Sequence, residues 1–136
     1  MREQMVARCD HIEEAYEFML AYAAQGLASD AGSSAGSQVR QFLARLDAAL
    51  TGLGDVFRAV VTAEVPDAAG QFAPFIAVLD RDAAASQAAV QLVLAQPGIS
   101  SQLVDNLNAS IHLRALLTDI FLVDEVLKGQ VLGAGG

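Results

Sequence analysis

Three consecutive side chains near the start of the sequence, Cys9, Asp10 and His11, combine a thiol, an acid and a base. Such groups could act together as a nucleophile and its proton acceptor. On a helix, however, successive residues are rotated by about 100°, so Cys9 and His11 would point in nearly opposite directions. Cys9 also keeps helical spacing with Met5 and Ile12, as a small buried side chain does. We therefore predict a core cysteine and no catalytic residue.

The same segment carries five carboxylates on one helical face, namely Glu3, Asp10, Glu13, Glu14 and Glu17. Carboxylates in such a group could bind a hard cation or a basic partner. A ferritin-like di-iron site would also need inward glutamates on other helices and two Glu-x-x-His motifs. Here the first motif is reversed, since His11 precedes Glu14, and no glutamate stands three residues before His112. The pattern favours a solvated acidic face.

The two histidines, His11 and His112, could in principle share a haem or a metal ion. If the first and last helices pack antiparallel, the two imidazoles lie roughly 8 Å apart along the helix axis. One metal ion cannot be bound by both at that offset. Because His112 shares a polar strip with Asn108 and Asp119, we interpret it as a hydrogen-bonded interface residue. We predict no metal and no cofactor.

Helical periodicity and Gly, Ser and Pro punctuation divide the chain into four predicted helices. The first spans about 2–27 and precedes a Gly/Ser-rich stretch, 28–36, that we expect to be mobile. The second begins near Ser37 and continues to Pro66, because its apolar spacing runs unbroken through Gly52 and Gly54. The third follows Gly70 and ends before Pro97, and the fourth covers 103–127.

These elements predict an all-α protein, an antiparallel up-down-up-down four-helix bundle with one domain over 1–128. The remaining residues, 129–136, form a predicted flexible Gly-rich tail. Hydrophobic residues make up 54% of the sequence, enough for a packed core. We interpret the protein as cytoplasmic, since the first ten residues lack the apolar core of a signal peptide and no uninterrupted apolar run could span a membrane.

Charge limits the partners that this protein can bind. The formal net charge is −8, which disfavours nucleic acid and anionic membranes as partners.

The single cysteine excludes a disulfide within the chain.

The main functional signal is that the first and fourth predicted helices are apolar on two faces, whereas a surface helix needs one apolar stripe. Neighbouring helices could merge their second faces into one patch, and a self-complementary patch favours a twofold dimer. We predict a homodimer interface on helices one and four made of His11, Phe18, Tyr22, Ile111, His112, Ala115, Asp119, Leu122 and Val126.

We therefore interpret the chain as a non-enzymatic interaction protein, an accessory, regulatory or assembly factor that acts as a homodimer on a protein partner. The alternative is a bundle that binds a small molecule or cofactor in space left by small residues, Gly52, Gly54, Ala83–Ala85, Ala88 and Ala89. A weaker alternative is a protein that coats a lipid surface with amphipathic helices, against which the acidic charge counts.

Overall fold

The computed structural model describes residues 1–135, with side-chain environments through residue 132, and this part of the chain is helical without strands. Its six helices are α1 (Arg2–Ala24), α2 (Ser34–Leu50), α3 (Leu53–Glu64), α4 (Ala69–Leu94), α5 (Ser101–Ala109) and α6 (Ile111–Gly135). A short 3₁₀ turn, Pro66–Ala68, precedes α4. The predicted all-α class is confirmed.

The second predicted helix is broken into α2 and α3, so the prediction of one continuous helix was wrong. Gly52 adopts φ +66°, a left-handed conformation that ends α2 and that glycine takes without a Cβ clash. The apolar spacing continues across the break because Leu50, Leu53 and Phe57 all face the same core. Periodicity therefore reported the buried face correctly and missed the turn.

The last predicted helix is also broken, at Ser110, into α5 and α6. Ser110 has an extended ψ of 136°, and its N–H donates to the Leu107 carbonyl oxygen at 3.1 Å. Serine is a favoured residue immediately before a helix, where its short polar side chain can accept from the first turn. Both apolar stripes predicted along 103–127 nevertheless continue on α6; one holds Leu113, Leu116, Leu117, Ile120 and Leu127, and the other holds Ile111, Ala115, Leu122 and Val126, with Val104 on α5.

The Gly-rich segment predicted as a tail continues α6 as far as Gly135, while Gly136 lies outside the described residues. Each of the three glycines in this extension, Gly129, Gly133 and Gly135, costs a helix only about 1 kcal/mol relative to alanine. The side-chain amide of Gln130 also reaches that of Gln71 on α4, at 3.4 Å. The helix therefore extends past the predicted boundary.

Helix α1 runs antiparallel to α2 and α3. Near its start, Arg2 donates to both carboxylate oxygens of Glu64, with Nε 2.8 Å from Oε2. Near its end, the Phe18 ring stacks on Phe42 at 4.2 Å between ring centroids. These two contacts fix α1 along the length of the α2–α3 pair.

Helix α4 lies antiparallel to the α2–α3 pair on one side and to α6 on the other. The Gln87 amide donates to the Asp47 carbonyl oxygen at 3.1 Å, which joins α4 to α2. The Arg58 guanidinium of α3 bonds the Asp80 carboxylate of α4. The core between the helices is mainly apolar; its largest fully buried side chains include Ile12, Met19, Leu43, Leu46, Phe57, Ile76, Leu79, Leu113 and Leu116.

The connection between α1 and α2, predicted as a mobile loop, is anchored by Asp30. Its carboxylate accepts from Arg40 Nε at 2.8 Å and from the Ile99 N–H at 2.8 Å. The Arg40 guanidinium and the Ile99 N–H hold the pKa of Asp30 at about 2, below its usual range. A charged carboxylate thus ties this loop to α2 and to the segment before α5.

Tyr22 is fully buried, and its hydroxyl donates to the Ile99 carbonyl oxygen at 2.6 Å. We expect Tyr22→Phe to lower the free energy of unfolding by about 1–2 kcal/mol, because it leaves that carbonyl without its donor. Urea unfolding followed by circular dichroism measures the change. The matched control is Tyr16→Phe, at the other tyrosine, which is half-buried. Equal losses in both variants would contradict the assigned role of the Tyr22 hydroxyl.

Candidate interaction surfaces

The predicted interface residues of α1 do not form a surface. Tyr22 belongs to the core, as described above, and is therefore not accessible to a partner. Phe18 is half-buried because its ring is covered by Phe42 of α2. His11 alone of the three is exposed. The second apolar face of α1 is thus explained by packing within the monomer, and it does not merge with α6.

The predicted interface residues of α6 behave differently, because four of them lie along its solvent side. Ile111 is 74% exposed, Leu122 48% and Val126 44%, and Ala115 is half-buried in line with them. With Thr118, which is exposed at the same helical spacing, these residues define the outer face of α6. His112 is exposed beside this face.

A shallow depression of about 220 Å³ extends the outer face of α6 towards α4. Its walls are Leu122 and Val126 from the outer face, and Phe72 and Phe75 from α4. The half-buried Phe75 ring adds contact area next to the exposed aliphatic side chains, and the buried Phe72 lies beneath it. The depression therefore enlarges the apolar surface to the width of two helices.

Asp119 was predicted on the interface, but it is 7% exposed and lies between α6 and α4. Burial raises the pKa of its carboxyl to about 7, and the neighbouring Asp82 carboxyl of α4 contributes to the rise. Its Oδ2 atom is buried without a hydrogen-bond partner. Asp119 is therefore a buried carboxyl beside the half-buried Asp82, and a partner protein could not reach it.

A second apolar surface is a groove between α1 and α6, which we call the α1–α6 groove. Two adjoining depressions of about 140 and 220 Å³ meet at Glu13 and Phe121. The lining residues are Met5, Val6, Cys9, Asp10, Glu13, Tyr16 and Glu17 of α1, Phe57 of α3, and Leu117, Ile120, Phe121 and Asp124 of α6. The groove has apolar walls and a carboxylate rim.

Cys9 lies half-buried in the wall of this groove. Burial, and then the carboxylates of Glu13, Asp124 and Asp10, raise the pKa of its thiol to about 12. At neutral pH the sulfur is therefore protonated, whereas a cysteine nucleophile reacts as the thiolate. The environment of Cys9 is that of an apolar contact residue.

The carboxylates that line the groove are close enough to act on one another. Burial raises the pKa of Glu13, and the carboxylates of Asp10, Glu17 and Asp124 raise it further. Three of the four belong to the acidic face predicted on the first helix, and Asp124 faces them from α6. The other two residues of that face, Glu3 and Glu14, are exposed and do not line the groove.

The two histidines, His11 and His112, are both exposed. In residues 1–135 no group of three or more His, Cys, Asp and Glu side chains is arranged to hold a metal ion. None of the helices within that range combines the length and apolar character required to cross a bilayer.

The small residues considered as space for a ligand are spread over different environments. Ala84 and Ala88 are exposed on α4, and Gly52 is exposed in the turn between α2 and α3. Gly54 is buried, but the Asp80 carboxylate occupies the space where its Cβ would be. These positions do not surround a common cavity.

Sequence reasoning missed the α1–α6 groove because it assigned Cys9 to the core and gave Phe121 no role. Phe121 is 55% exposed and lies outside both stripes assigned to the last helix. The signal that could have revealed the groove was this large aromatic residue outside both stripes, three residues before Asp124.

Comparisons with protein-family models, with curated proteins and with solved structures find no match to this chain.

Proposed function

We propose that this chain is a non-enzymatic interaction protein that forms a homodimer through the outer face of α6 and acts on a protein partner. The observation that carries the proposal is the row of exposed apolar side chains on that face, Ile111, Leu122 and Val126. Contiguous apolar patches of this kind on soluble proteins mark interaction sites. The half-buried Phe75 of α4 widens the patch.

The distribution of charge favours a second copy as the occupant of this face. Two chains that each carry a net charge of −8 repel one another wherever their acidic surfaces meet. The outer face of α6 consists of uncharged residues from Ile111 to Leu122. Self-association at this face therefore avoids most of the repulsion.

The spacing of the face also suits an antiparallel twofold pairing of α6 with its copy. With the twofold axis beside Thr118, Ala115 lies opposite Leu122, and Ile111 lies opposite Val126. Each pair then joins a smaller side chain to a larger one, which allows the two helices to approach closely. The same pairing brings Arg114 of one copy near the level of Glu125 of the other, on one flank of the face.

Each protomer of the proposed dimer follows the plan of a four-helix bundle. Each of the four positions in the bundle is filled by one helical rod, and two of these rods are broken into two helices. Under this proposal α2 and α3 form one rod, α5 and α6 form another, and α1 and α4 are the unbroken ones. The antiparallel contacts described above support this arrangement. The breaks at Gly52 and Ser110 would let each rod change direction without leaving the core.

Light scattering coupled to gel filtration tests the dimer. At micromolar concentration we expect a mass of about twice 14.2 kDa for the unmodified chain. Leu122→Glu is expected to raise the dissociation constant at least about 100-fold, because it buries an unpaired charge at the centre of the interface. The control is Leu92→Glu, at an exposed leucine on α4 away from the outer face, which should leave the dimer intact.

A charge exchange distinguishes the proposed pairing from other apolar contacts. Arg114→Glu alone places like charges near each other and should weaken the dimer, by roughly 5-fold to 10-fold for a rim pair. Arg114→Glu combined with Glu125→Arg should restore it. A strict monomer for the unmodified chain would overturn the dimer, and a double variant as weak as the single one would overturn the antiparallel geometry.

A further inference from the structure

The α1–α6 groove has the dimensions of a site for a helix. Its lining residues extend from Met5 to Glu17 on α1, and the twelve steps between them, at a rise of 1.5 Å each, span about 18 Å, or about three helical turns. The backbones of α1 and α6 lie close together over a shorter length than those of α1 and α2 or of α4 and α6 do. Phe57 of α3 closes the bottom of the opening.

Large apolar side chains are exposed at both edges of the groove. Val6 on α1 is 45% exposed and Phe121 on α6 is 55% exposed. Between them, Met5 and Ile120 are buried and form the floor together with Phe57. An apolar floor between two exposed apolar edges is the form of a groove that takes the apolar face of an amphipathic helix.

The rim of this groove carries an excess of negative charge. Asp10, Glu13, Glu17 and Asp124 line it, and among the side chains that the structure describes, through residue 132, only Asp124 of these four forms a salt bridge, with Lys128 Nζ at 3.0 Å. Arg2, at the same end of α1, is engaged by Glu64 of α3. The lining residues therefore offer unneutralised carboxylates to basic side chains of an incoming segment.

We propose that the α1–α6 groove binds one amphipathic helix of a partner protein, with leucine-like side chains on the floor and Lys or Arg side chains on the acidic rim. This inference deepens the proposed interaction role, and it does not depend on the dimer. Phe121 and Leu122 are consecutive residues on α6 and point about 100° apart. The groove and the outer face of α6 are thus separate sides of the same helix.

The probe for this site is a synthetic 15-residue helical peptide with leucines at i, i+3, i+4 and i+7 spacing and lysines and arginines flanking them. Fluorescence anisotropy of the labelled peptide measures its binding to the full chain. We expect saturable binding that weakens with added salt, because charge pairs on an exposed rim are screened. A peptide of the same apolar pattern with glutamates in place of the basic residues should bind at least 10-fold more weakly.

Two double variants with the same change in net charge locate the site. Glu13→Lys with Glu17→Lys reverses two rim carboxylates and should weaken peptide binding at least 10-fold. Glu3→Lys with Glu14→Lys reverses two exposed carboxylates of α1 outside the groove and should weaken it less than about 3-fold. Equal losses in the two variants would overturn the proposal, since they would show attraction to the acidic protein as a whole.

The apolar edge of the groove on α6 is tested by Phe121→Ser, which is expected to weaken peptide binding at least 10-fold while circular dichroism remains helical. In ¹H–¹⁵N spectra the basic peptide should shift the amide signals of Cys9, Glu13 and Phe121. Shifts confined to other helices would overturn the site. If Phe121→Ser instead halves the mass in solution, a second copy covers the groove, and the proposal of a partner helix is wrong.

The monomeric Leu122→Glu variant separates this inference from the proposed dimer. Because Leu122 lies outside the groove lining, the variant should bind the basic peptide as tightly as the unmodified chain. If the unmodified chain proves to be a monomer but still binds the peptide, the dimer proposal is wrong and the groove proposal stands. A dimer that does not bind the peptide would overturn the groove alone.

Discussion

Replacing Gly36 with alanine is expected to destabilise the protein by about 2–3 kcal/mol, the cost of overpacking that a core cannot relieve. Gly36 is buried in the first turn of α2, and a Cβ there would overlap the backbone of Asp30. Asp30 cannot move away freely, because Arg40 and the Ile99 N–H hold its carboxylate. The strain should exceed the gain in helix propensity that alanine normally brings, about 1 kcal/mol.

Gly70→Ala is the matched control for this prediction. Gly70 lies in the first turn of α4, is exposed, and has open space where the Cβ of an alanine would lie. Alanine should therefore stabilise the protein there by about 0.5–1 kcal/mol, through helix propensity alone. Urea unfolding of the two variants should give changes of opposite sign. Two stabilising substitutions would show that the Asp30 loop yields easily, contrary to its assigned role as an anchor.

The helical class and most of the buried positions could be predicted from the sequence because both depend on apolar periodicity. Met5, Ile12 and Met19 on α1, and Leu113 and Ile120 on α6, are buried where the three-to-four-residue spacing places them. This spacing is set by the geometry of the helix and by the need to cover one core. It requires no knowledge of the neighbouring elements.

The breaks at Gly52 and Ser110 could not be predicted in the same way. A turn of one or two residues between two helices that face the same core leaves the apolar phase almost unchanged. The signals were local: a glycine able to adopt positive φ, and a serine able to precede a helix. The periodicity of apolar residues is judged over ten or more residues. It therefore predicts a continuous helix even where a single residue, such as Gly52 or Ser110, ends one.

The candidate surfaces were predictable only in part, because exposure depends on which helices become neighbours. The outer face of α6 was predicted through Ile111, Leu122 and Val126, and these residues are exposed. The matching face of α1 was not, since Phe18 is covered by Phe42 of α2. The α1–α6 groove combines three helices, and its residues are distant in the sequence.

The buried carboxyl of Asp119 is expected to make the protein less stable as the pH rises from about 4 to about 7. Its pKa in the folded state is raised to about 7, first by burial and then by the Asp82 carboxyl, whereas an exposed aspartate ionises near 4. Between these values the folded protein holds a proton that the unfolded chain releases. The free energy of unfolding therefore falls through this interval, by up to a few kcal/mol, and levels off above pH 7.

Asp119→Asn isolates this effect, because asparagine resembles the protonated carboxyl and does not titrate. We expect the variant to match the unmodified protein near pH 4, where the fall begins, and to exceed its free energy of unfolding by up to a few kcal/mol at pH 8. Asp105→Asn, at an exposed aspartate of α5, serves as the control and should leave the difference between pH 5 and pH 8 unchanged. Urea unfolding at half-unit pH intervals gives the comparison. If Asp119→Asn keeps the full pH dependence of the unmodified protein, then Asp119 does not hold the proton that distinguishes the folded protein from the unfolded chain, and the role assigned to its carboxyl is wrong.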